Sequence, residues 1–68
     1  MKRYFINNLS QPNGDHEVHA ENCVYLKMAR DVRELGYFLD GRQAVLFARQ
    51  YCPNADGCYY CCNEAHRS

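Results

Sequence analysis

The chain has 68 residues, a formal net charge of zero, five cysteines, three histidines, six tyrosines and three phenylalanines. That length fits one domain spanning residues 1–68 and excludes doubly wound sheets and large barrels. Charge neutrality excludes the strong basic or acidic footprint of a dedicated nucleic-acid or membrane-surface binder. A core this small contributes only about 3–5 kcal/mol, so a covalent or metal staple is expected.

Lys2–Asn7 is rich in strand formers and predicts a first strand. Pro12, Asn13, Gly14 and Asp15 mark a turn, and residues 17–20 return as a second strand. From Cys23 to Leu35 two readings stay open over residues 27–35, because Met28, Val32 and Leu35 recur at helical spacing: a short helix or an irregular loop. Gly36 ends that stretch, and Tyr37–Leu39 reads as a short strand. Asp40 caps a helix, and Gln43 completes a capping-box pattern. Ala44, Val45, Phe47, Ala48, Tyr51 and Cys52 form its apolar face, and Pro53 stops it. Pro53–Gly57 reads as a loop, followed by the cysteine-rich end and a polar tail. The expected fold is α+β: a two- to three-stranded antiparallel sheet with one main helix, stapled by a zinc site.

The staple is either disulfides or a metal. Met1, Lys2 and Arg3 lead into only three apolar residues before Asn7 and Asn8, which is not a secretory signal pattern. No stretch approaches the ~20 apolar residues of a membrane span. A cytoplasmic, thiol-reducing setting is therefore expected. An odd cysteine count, with Cys61 and Cys62 adjacent, also suits metal better than a disulfide framework.

Cys58 and Cys61, separated by two residues, have the spacing at which a tight turn aims two sulfurs at one ion. Redox proteins share that spacing, but they place it at a helix start, and nothing helical follows Cys61. His19 and Cys23, three residues apart, are the best second half. His16 and His19 face opposite sides of an extended strand, so only one reaches a common ion, and His19 lies nearer Cys23. His16 and His19 are also not the four-apart helical pair of a metalloprotease. The expected centre is tetrahedral zinc on His19, Cys23, Cys58 and Cys61, with no open position and hence structural. Alternatives stay open. Cys62 can replace Cys61, and His66, His16 or Cys52 can supply a ligand, although Cys52 sits on the apolar helix face. Cys23 and His19 can also be ordinary buried core residues.

These residues carry a resemblance. His19 and Cys23 with Val24, Tyr25 and Leu26, then Leu35 to Phe38, then a capped helix with Ala44 and Ala48, then Cys58 and Cys61, resemble the Ada-type metal-binding domain of bacterial DNA-repair proteins. The chain is also similar to small bacterial Cys/His-rich proteins. The Ada-type resemblance spans roughly residues 17–62 and implies zinc on the same four residues. In that family the first cysteine of the three-spaced pair accepts a methyl group from DNA. His19 stands there in this chain, so the nucleophile is absent. The longer Pro53–Gly57 loop is a second departure.

Three functions follow. The first is a non-catalytic zinc module with a protein partner, using Tyr25, Tyr59 and Tyr60 as interface anchors or as shields of the metal. The second is a nucleic-acid-binding module using Lys2, Arg3, Arg30, Arg33, Arg42 and Arg49, interrupted by Asp31, Glu34 and Asp40. The third is a thiol or redox-active protein using Cys52, or Cys62 with His66 or Arg67 beside it. The first is the expectation, with no enzyme activity and no membrane.

Overall fold

Tyr4 and Ile6 alternate with Arg3 and Phe5 along β1 (Lys2–Asn7). In the computed structural model, which describes residues 1–66, Tyr4 and Ile6 are the buried pair. The chain turns where Gly14 takes a positive φ of 92° and Asn13 accepts a hydrogen bond from the Asp15 N–H. It then returns as β2 (His16–Ala20), antiparallel to β1, with Tyr4 opposite Ala20 and Ile6 opposite Val18. Both strands lie where the sequence predicts them.

The next stretch departs from expectation. A five-residue helix, α1 (Val24–Met28), follows Cys23. The chain then becomes a full strand, β3 (Val32–Phe38), which pairs antiparallel with the other edge of β1. The helical spacing of Met28, Val32 and Leu35 is therefore coincidental. Gly36 does not end an element but sits inside this strand. Tyr4 faces Gly36 while Phe5 faces Glu34, so Leu35 is an extra, bulged residue, and Gly36 takes φ 117° beside it.

Helix α2 (Gly41–Arg49) is capped by Asp40, whose carboxylate accepts the Gln43 N–H at 3.1 Å. The Gln43 side chain reaches back one residue further than a capping box requires, to the Leu39 N–H. Ala44, Val45 and Ala48 are buried, and Phe47 packs on Phe38 with ring centroids 5.3 Å apart. Tyr51 leaves the predicted apolar face and is exposed.

The largest correction concerns Pro53–Gly57. Ala55–Gly57 form β4, a buried strand running parallel to β2. The sheet is thus four-stranded and mixed, in the order β3-β1-β2-β4, rather than two- or three-stranded and antiparallel. Asn63–Ala65 add a final turn of 3-10 helix. The core joins Tyr4, Ile6, Val18, Ala20, Ala44, Val45, Ala48, Ala55 and Cys62 between sheet and helix. Among the described residues no helix is long and apolar enough to cross a membrane.

Candidate metal centre

Because β2 and β4 run parallel, in the register His16 to Ala55, Glu17 to Asp56 and Val18 to Gly57, both leave the sheet at the same end. That end is where the four sequence-selected residues meet. His19 lies in the last part of β2, and Cys23 is the residue before α1, tied back by its N–H to the Ala20 carbonyl. Cys58 follows β4 and donates its N–H to Val18 at 2.9 Å. Cys61 lies in the turn closed by the Cys62 N–H on the Cys58 carbonyl. Gly57 allows this closure: a Cβ there would lie 2.6 Å from the Cys62 carbonyl oxygen.

One ligand atom from each of His19, Cys23, Cys58 and Cys61 lies within 4.8 Å of every other. The Cys23 and Cys58 sulfurs are 4.0 Å apart, and Cys61 Sγ is 3.9 Å from His19 Nδ1. Tetrahedral zinc would hold two sulfurs about 3.8 Å apart and sulfur and nitrogen about 3.5 Å apart. Contraction by a few tenths of an ångström for these two pairs, and by no more than about 1 Å for the widest, closes the set around one ion. All five cysteines are unbridged.

The electrostatics suit a cation. His19, Cys23 and Cys58 are buried and Cys61 is half-buried. Burial pushes the Cys58 thiol up to about 12. The neighbouring Cys62 sulfur, with burial second, pushes Cys61 up to about 11. Burial also raises Cys23. Three thiolates here require a positive charge among them. Backbone donors are already aimed at the sulfurs. The N–H groups of Tyr25 and Leu26 favour the Cys23 thiolate, and those of Tyr60 and Cys61 favour the Cys58 thiolate. The Ala20 N–H reaches Cys61 Sγ at 3.3 Å. Donors pointing at sulfur are the outer shell of a thiolate centre.

The substitute ligands fall outside this mutually close set. Cys62 Sγ is 3.8 Å from Cys61, but Cys62 is fully buried and belongs to the hydrophobic core. Cys52 and His16 line a cleft of about 450 Å³ with Ile6, Phe47 and Ala48. His16 donates from Nδ1 to the Asn7 carbonyl. His66 donates to the Gly57 carbonyl at 2.9 Å and stands against Asp56 and Tyr59. Arg67 lies outside the described residues.

Sequence reasoning passed over Glu17. Its Oε1 lies 3.6 Å from His19 Nε2, while the other ring nitrogen, Nδ1, is 3.9 Å from Cys61 Sγ. Strand alternation was the available signal, since residues two apart share a face. No protein-family model matches the chain, and neither a curated protein nor a solved structure does. The four residues form a buried His/Cys cluster able to hold a metal ion.

Proposed function

We propose that this chain is a small, non-catalytic zinc-binding module that docks a protein partner. One structural zinc ion sits on His19, Cys23, Cys58 and Cys61. The observation that carries this reading is the buried convergence of three sulfurs and one imidazole, with backbone N–H groups directed at each sulfur. Three thiolates and an imidazole are a zinc donor set, and four protein ligands leave no position for substrate or water. The ion ties the chain's first hairpin to its last turn, so its binding free energy becomes folding free energy.

The partner reading rests on the surface over this centre. Tyr25 and Tyr60 stack with centroids 4.7 Å apart, Tyr59 abuts Tyr60, and Val24 and Met28 are exposed at the two ends of α1. Tyrosines around a rigid metal-held turn supply large contact area at low entropic expense. The resemblance to the Ada-type domain contributes the ligand order alone, because His19 replaces the methyl-accepting cysteine. Nucleic-acid binding is less favoured: Arg3 pairs with Glu34, Arg42 with Asp40 and Arg49 with Asp56. The redox reading is weakened by the full burial of Cys62.

Native mass spectrometry of the whole chain, with and without chelator, tests the proposal. One zinc per chain is expected, unchanged in His66→Ala. A metal-free chain that stays folded, or one with bridged sulfurs, refutes it. Tyr60→Ser separates the two roles of the tyrosines: it should leave zinc exchange unaltered if the rings dock a partner, and accelerate it if they shield the ion.

A further inference from the structure

A histidine that binds a metal through one ring nitrogen is oriented by what the other nitrogen donates to. His19 is 1% exposed, so few groups can play that part. Its Nδ1 faces Cys61 Sγ, and its Nε2 faces Glu17 Oε1 at 3.6 Å. Residues 17 and 19 lie on one face of β2 by alternation, and the Glu17 side chain is only 22% exposed. Asp56, which pairs with Glu17 across the parallel ladder, turns toward Arg49 and His66 at 3.7 and 3.5 Å.

From this arrangement we infer that Glu17 is a positioning residue for the metal centre: its carboxylate accepts the His19 Nε2–H and so directs the Nδ1 lone pair toward the three sulfurs. The inference rests on the zinc reading above. An approach of about 0.7 Å brings the pair to ordinary hydrogen-bond length. The carboxylate then selects the tautomer with Nδ1 free to ligate and makes the imidazole a stronger donor. The backbone alone does not choose between the two ring nitrogens.

The test uses the full chain, zinc competition against a chromogenic chelator, and long-range 15N–1H correlation spectra of the histidines. Wild type should show His19 bound through Nδ1 with Nε2 protonated. Glu17→Ala should weaken zinc binding about 10–100-fold. Glu17→Gln, whose amide oxygen still accepts a hydrogen bond, should recover most of that loss and keep the Nε2–H. Glu17→Gln also carries the decision if Glu17→Ala does not fold. Zinc on Nε2 in wild type, or a Glu17→Ala affinity within twofold of wild type, overturns the role of Glu17 and leaves the centre standing. Wild type that takes up no zinc removes the centre itself, and this role with it.

Discussion

Cys58→Ser probes the centre at its most buried sulfur, since Cys58 is 1% exposed. A structural zinc contributes roughly 10–16 kcal/mol in small zinc domains, or about 3–4 kcal/mol per ligand if shared equally among four. Serine is a poor zinc ligand at neutral pH, and its buried hydroxyl, set among groups arranged for sulfur, adds about 1–3 kcal/mol. Together the loss is about 4–7 kcal/mol, against a total stability of roughly 3–10 kcal/mol for a chain of this size. The variant should be largely unfolded at 25 °C by far-ultraviolet circular dichroism and should carry no zinc. Cys52→Ala is the matched comparison. Cys52 is half-buried at the rim of the core, outside the cluster, so its loss should be packing-scale, about 1–2 kcal/mol. At about 4–8 °C per kcal/mol, Cys52→Ala melts roughly 4–16 °C below wild type and retains its zinc. Cys58→Ser and Cys52→Ala melting alike, or Cys58→Ser keeping its metal, would refute the ligand assignment.

Gly57→Ala places a methyl group 2.6 Å from the Cys62 carbonyl oxygen and 2.9 Å from the Ala65 Cβ, in a turn whose backbone cannot yield freely. Overpacking of this kind destabilises by about 1–3 kcal/mol, read as a lowered urea midpoint. An unchanged midpoint would show that the last turn does not pack on β4. Burial, reinforced by negative charge on Cys62, Glu64 and Asp40, pushes the Tyr4 phenol up to about 12. Its folded value therefore lies above its unfolded value near 10, so its contribution is complete below pH ~10 and is lost as pH rises through ~12. Urea midpoints of wild type should fall over that window more steeply than those of Tyr4→Phe. Parallel pH profiles would remove the buried phenol as the cause.

The elements legible from the amino-acid order are those set by local rules. Asp40 with Gln43 marks the start of α2, the alternation around Tyr4 and Ile6 marks β1, and Asn13 with Gly14 marks the turn into β2. The short spacings of His19 with Cys23 and of Cys58 with Cys61 were equally readable, because a tight turn must bring each pair together whatever the rest of the chain does. Three things were not readable. Met28, Val32 and Leu35 share helical spacing by coincidence, while pairing with β1 holds Val32–Phe38 extended and the bulge at Leu35 absorbs the mismatch. Ala55, Asp56 and Gly57 have no strand preference, yet the open backbone edge of β2 recruits them. Cys61 and Cys62 are adjacent and chemically identical, and only the turn after Cys58 sends one to the cluster and the other into the core. Local order thus determined which residues could form two ligand pairs. The parallel β2–β4 ladder decided that the pairs would meet, because hydrogen bonds between distant segments depend on backbone edges that side-chain order does not encode.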